Sequence, residues 1–287
     1  MRKPLIVCLL ACVFIAQPIT SQAVARLGSS SELHGLSISV TGNDWGAGRK
    51  VDIEKVLESA SGEIWRYFPN KRLKPIIVVH DEDTPRTRCK KGSGGEHVIQ
   101  LTAKDRRWAQ FSYQFAHEFF HVLSNYENDC VDDLETENEW FEEVLAEVSS
   151  LFVLRQMASS WRSSPPYPNW RDYASSLEQY ARDALNESHR QLPDGKTFGV
   201  WFRENHQLLR NDPYLRDKNE LIANRLLPLF EGSPSSWESI SYLNLGSPDA
   251  SNSFQSCLNN WHRHVPRRHE RFVEDVARVF GMRITAY

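Results

Sequence analysis

The sequence predicts an α+β fold. Two short β-branched runs fall before residue 104, and segments with apolar residues every three to four positions dominate the remainder. Beyond residue 159 the periodicities are helical, with no strong strand signal and no internal repeat. Together these predict a small N-terminal sheet, two helices packed against it, and a mainly helical C-terminal lobe. At 287 residues the chain can bury one two-lobed core or two small ones.

The elements follow in order. Arg2 and Lys3 precede an apolar run from Leu5 to Ala16, and small residues close the stretch Ser21 to Ala25. Residues 1–25 therefore read as a secretory signal peptide, cut after Ala23 or Ala25. Leu9 to Cys12 has the form of a lipidation box, but the apolar run continues past Cys12. The run is too short to span a bilayer and no other is longer, so the mature chain is expected to carry no integral membrane segment. Export, to a periplasm or the outside, is the expected localisation.

A strand is expected within Leu33 to Val40, then a Gly-rich turn. Ile53, Val56, Leu57, Ala60, Ile64 and Phe68 give Val51 to Phe68 a helical spacing, which Pro69 and Asn70 stop. Ile76 to Val79 and His97 to Ala103 read as strands. The charged loop 81–95 between them ends in Lys90-Lys-Gly-Ser-Gly-Gly95. That stretch lacks the Gly-Lys-Ser/Thr ending of a phosphate-binding loop and precedes a strand, so it reads as a flexible hairpin connection. Asp105 is placed to cap a helix from Arg106 to about Asn125. A second helix is expected from about Glu137 to Met157. The Pro-rich stretch Ser159 to Trp170 marks a boundary between lobes 26–158 and 159–287. Helices at about 171–190, 198–210, 217–230, 252–264 and 267–280 fill the second.

The first of the two central helices carries His117-Glu-Phe-Phe-His121. Histidines four apart share one helical face, so both imidazoles can reach one metal ion. Glu118 is rotated by about 100° from His117, where a carboxylate can take a proton from metal-bound water. That is why hydrolysis on zinc needs this spacing. On the next helix Glu143, Ala146, Glu147 and Ser150 form a stripe. Carboxylates among small residues on a packing face are costly to bury without a partner, and a metal-bound histidine pair supplies one. Glu143 is therefore expected as the third ligand, with Glu142 as the fallback. Glu147, one turn on, is expected to hydrogen-bond a ligating imidazole.

These residues resemble the gluzincin metallopeptidases. In that family the second helix usually reads Trp-x-x-Glu-Gly-x-Ala-Glu, with the first Glu as ligand. Here it reads Trp140-Phe-Glu-Glu143-Val-Leu-Ala-Glu147, with Val144 in place of the usual Gly. The resemblance covers roughly 75–157 and also includes the order strand, strand, His-Glu-x-x-His helix, Glu helix, helical lobe. It implies a zincin-like catalytic lobe over 26–158 and a Zn2+ cofactor. It also implies that a substrate strand pairs with an edge strand, the place His97 to Ala103 would hold. The family usually adds a Tyr or His that steadies the oxyanion, for which His206, Tyr173, Tyr180 and Tyr242 are the candidates. No metzincin third His follows the motif.

A formal charge of −3 gives no reason to expect a nucleic-acid partner. The basic run Arg263 to Phe272 and the acidic loop 127–139 read as solvated surface; the loop lacks calcium-loop spacing. With Cys8 and Cys12 in the signal, Cys89, Cys130 and Cys257 remain, and the charge-complementary loops around Cys89 and Cys130 favour that pair. The expected function is an exported zinc metallopeptidase acting on a peptide or protein substrate, with Glu118 as general base. The alternative is an exported zincin-like binding or structural protein without turnover.

Overall fold

A computed structural model describes residues 35–125, 138–245 and 253–285. The expected signal peptide, Cys130 and nearly all of the acidic loop lie outside the described residues. Cys89 is disulfide-bonded.

The chain is a mixed α+β structure with one small sheet and a predominantly helical remainder. The sheet holds β1 (Ile38–Val40), β2 (Ile76–His80), β3 (Arg86–Arg88) and β4 (His97–Leu101), in the order β1-β2-β4-β3. β1, β2 and β4 are parallel, and β3 runs antiparallel to β4 with Thr87 opposite Ile99. The parallel β1–β2 pair needs a crossover, which α1 (Lys50–Trp65) provides. The Gly-rich stretch 90–95 does join two antiparallel strands.

Two expectations are corrected. His97–Leu101 is not the edge strand: all five of its residues are buried, because β2 and β3 flank it. Among the described residues the edge on that side belongs to Arg86–Arg88, a three-residue charged strand that carries little strand signal, and β1 forms the other edge. Nor does Asp105 cap the next helix. It takes a left-handed conformation, φ 61°, and its carboxylate accepts the backbone N–H of Ala47 at 2.8 Å. Gly46 is needed there, since a Cβ would meet that carboxylate at 2.2 Å.

Helix α2 (Trp108–Ser124) packs on the sheet through an apolar body that includes Phe111, Phe115 and Phe119, all fully buried. It ends at Asn125, whose left-handed conformation (φ 64°) closes the helix by a bond to the His121 carbonyl. Helix α3 (Glu139–Ser160) is buried on nearly all sides and packs against α1, α2, α4 and α6. A helix so apolar all round must be central.

The helices α4 (Ala174–Leu185), α5 (Phe198–Asn211), α6 (Arg216–Gly232), α7 (Phe254–His264) and α8 (Arg267–Val279) lie close to the expected spans. A 3-10 segment, Pro234–Tyr242, was not expected there; its Trp237 is fully buried against Phe152 and Phe230. The apolar core is continuous from α1–α3 into α4–α8. Among the described residues, no helix is long and apolar enough to cross a membrane.

The α2–α3 contact positions the site. Ser149 Oγ donates to the Ala116 carbonyl and Ser150 Oγ to the Tyr113 carbonyl, each at 3.0 Å, so hydroxyls touch the neighbouring backbone. Ser150→Leu is expected to force the helices apart and cost about 1–3 kcal/mol by overpacking. Urea denaturation of the metal-free protein measures it.

Candidate metal centre

Tyr113, His117 and His121 recur every four residues along α2 and face Glu143 and Glu147 on α3. His117 Nε2 lies 3.1 Å from Glu143 Oε2, and His121 Nε2 lies 3.5 Å from Glu143 Oε1. The carboxylate thus sits between the two imidazoles, and one ligand atom from each of the three residues falls within 4.8 Å of the others. Both histidines present Nε2, the arrangement two imidazoles at i and i+4 need to share an ion.

Glu142 occupies a different place from Glu143. Its Oε1 lies 3.3 Å from His121 Nδ1 and accepts from Ser124 Oγ, while Asn244 Nδ2 donates to its Oε2 at 3.1 Å. A carboxylate on Nδ1 leaves Nε2 as the metal-facing nitrogen and fixes the ring. Glu142→Ala is expected to weaken metal affinity roughly 10–100-fold while one ion per chain still binds at saturation. Competition with a chelating indicator would measure this.

Glu147 takes other partners than the one expected. Its carboxylate accepts from Tyr113 OH, and Arg190 Nη2 donates to its Oε1 at 2.8 Å. The imidazole-holding position is Glu142's instead. Sequence could not separate these glutamates, because both lie near the ligand stripe and the choice depends on how α3 is rotated against α2. Arg190 also reaches Glu220 at 3.2 Å and Glu187 at 3.2 Å. Glu187, His189 and Glu220 form a second group whose ligand atoms converge. There Glu220 already pairs with Arg190, Arg216 and His189, so the cluster is an ion-pair network with its charge met.

Glu118 points towards the sheet edge. Thr87 Oγ1 on β3 donates to the Glu118 carbonyl at 2.8 Å and lies 3.1 Å from its Oε2. This contact was invisible in the sequence, because Thr87 lies on a strand with no strand-like pattern. The backbone of the motif and the carboxylate of Glu118 are therefore both tied to the antiparallel edge strand.

Electrostatics bind the group together. Burial pushes the Glu118 carboxyl above its ordinary value, against the pull of His117 and His121. At His121 burial disfavours the charged ring, but the Glu142 bond and the Glu143 and Glu118 charges outweigh it, raising the pKa to about 9. Burial likewise opposes, and the Glu143 bond and charge outweigh it, to raise His117. Burial pushes Glu143 up, yet the His117 bond and the two imidazoles hold it below the usual carboxylate range. With both imidazoles neutral, as metal ligation requires, the three carboxylates carry three negative charges, and a divalent cation would offset two of them. The donor set fits such an ion: two imidazole nitrogens and one carboxylate, with the exposed side left for a further ligand. That side is His117 and Glu143, whose side chains are 22% and 17% exposed; His121 and Glu142 are each 6% exposed.

The four oxyanion candidates have the following contacts. His206 packs among Trp140, Phe202 and Phe254. Tyr173 OH accepts the Ala109 N–H at 3.3 Å, Tyr180 rests on the Tyr113 ring, and Tyr242 packs against the apolar core. A separate surface cavity of about 440 Å³, lined by Arg49, Arg106, Trp108, Tyr167 and Trp170 among others, shares no residue with the histidine group.

No protein-family model matches the chain, and neither the curated proteins nor the solved structures compared with it give a match.

Proposed function

We propose that this chain is an exported zinc-dependent metallopeptidase with a zincin-like catalytic lobe. The observation that carries the reading is the convergence of His117 Nε2 and His121 Nε2 on the Glu143 carboxylate, with Glu118 of the same helix bonded to Thr87 of the edge strand. Two imidazoles and one carboxylate with an open side is the donor set of catalytic zinc sites. Bound there, zinc supplies a Lewis acid for a peptide carbonyl and lowers the pKa of a water.

The rest is the work of the chain. An extended substrate pairs along the outer side of β3, which brings a scissile peptide bond past Thr87 to Glu118. Glu118 takes the proton from the attacking water and returns it to the leaving amine. A carboxyl raised by burial suits that exchange, because its two protonation states lie closer in energy near neutral pH. Glu142 keeps His121 oriented.

The test is zinc per chain in the mature protein, with hydrolysis of an unfolded protein substrate before and after chelation. One zinc per chain is expected, with hydrolysis lost on chelation and restored by zinc. Glu143→Gln is expected to lose the metal, and Glu142→Gln to keep it with lower affinity. A folded chain that takes up no zinc would overturn the proposal. A zinc-loaded chain inert on unfolded protein and on broad peptide mixtures would favour a binding role.

A further inference from the structure

The strand beside the candidate base carries positive charge at alternate positions. In β3, Thr87 points to the α2 side of the sheet, onto Glu118. Arg86 and Arg88, its neighbours on either side, must therefore project from the opposite face. Both are exposed, as is Lys90 just beyond them. Arg88 is not loose: its Nε donates to Gln100 Oε1 on β4 at 2.6 Å, which lays the guanidinium along the outer face. Arg86 pairs with the 82%-exposed Asp83 at 3.9 Å, a contact too long and too wet to neutralise it, and Asp81, which accepts from Gln100 Nε2, is the other carboxylate whose charge reaches Arg86 and Arg88. Among the described residues the sheet order leaves the outer side of β3 without a strand neighbour.

An extended chain added to this edge would meet these charges directly. Residues of neighbouring strands that point to the same face stand side by side, whichever way the strands run. The substrate residue beside Thr87 would face Glu118. The residues before and after it would lie beside Arg86 and Arg88. Opposite charges in such cross-strand pairs attract, and like charges repel. The edge strand thus offers backbone pairing for affinity and two guanidiniums for selection.

We infer that β3 selects acidic substrates: extended peptide segments with Asp or Glu at alternate positions, set against Arg86 and Arg88. The inference rests on the peptidase reading for its consequence, since binding there would lead to cleavage. The strand pairing itself can be tested without cleavage.

The experiment uses the zinc-loaded Glu118→Gln chain and fluorescent peptides matched in length. One has Glu at alternate positions, one Gln there and one Lys. Two cross-strand pairs predict that the Glu peptide binds roughly 3–10-fold more tightly than the Gln peptide. The Lys peptide should bind most weakly. High salt should shrink the differences, because the pairs are exposed. In Arg86→Glu/Arg88→Glu the order should reverse, and in Arg86→Gln/Arg88→Gln, which keeps a polar uncharged edge, it should vanish. Equal binding of the three peptides, no binding of any, or a Glu preference that survives both double substitutions would overturn the inference. Acidic preference in binding without turnover by the parent chain would instead count against the peptidase reading alone.

Discussion

Glu118→Gln is expected to lower peptide hydrolysis roughly 100–10,000-fold while zinc stays bound, the range that loss of a general base produces. The exchange keeps the side chain's shape and an oxygen to accept the Thr87 hydroxyl, so the contact with β3 survives. His117, His121 and Glu143 are untouched, and the metal should be held as before. What disappears is the atom that takes the proton. Burial had raised its carboxyl above the ordinary value, and an amide cannot take its place. Turnover of a quenched peptide, read beside zinc per chain, measures both halves of the expectation. Unchanged turnover with zinc in place would remove Glu118 from the reaction.

Arg190→Met is expected to destabilise the fold by about 3–5 kcal/mol, the usual cost of breaking a buried ion pair from one side. Arg190 is 2% exposed. It reaches Glu147 on α3, Tyr113 on α2 and Glu220 on α6, so it ties three helices at one point. Methionine fills similar space but leaves Glu147 and Glu220 buried without that guanidinium. Adding Glu147→Gln should recover part of the loss, because one uncompensated carboxylate is then gone. Urea denaturation of the metal-free proteins gives the difference. A loss below 1 kcal/mol would mean that Arg216 and His189 already meet the charge.

The place of this clamp matters for the site. Tyr113 lies one turn before His117, and Glu147 one turn after Glu143. The α2–α3 seam therefore carries two adjacent charge centres, the guanidinium and the histidine–carboxylate group. Each holds the same pair of helices together.

How much of this was legible depends on the range of the interaction. His117, Glu118 and His121 share one helix, and helical geometry alone puts the two imidazoles on one face. Glu143 was within reach because a carboxylate on an otherwise small, packed stripe demands a partner. Glu142 and Glu147 were harder. Whether a carboxylate meets Nδ1 of His121 or an arginine from beyond the Pro-rich segment is set by helix rotation and by chain far away. Thr87 and Arg190 lay beyond sequence reading: one sits on a three-residue charged strand, the other in a short 3-10 turn, and neither shows a periodicity.

The sequence by itself determined the α+β class, most helix spans and the histidine pair, because apolar spacing and i, i+4 geometry are local. Tertiary structure decided that β3 rather than β4 is the edge, that Glu142 rather than Glu147 holds an imidazole, and that Arg190 neutralises the glutamate left over. Those outcomes depend on which strand folds back and which partner the packed helices bring to each buried charge. Both are settled by contacts between residues ten to more than forty positions apart.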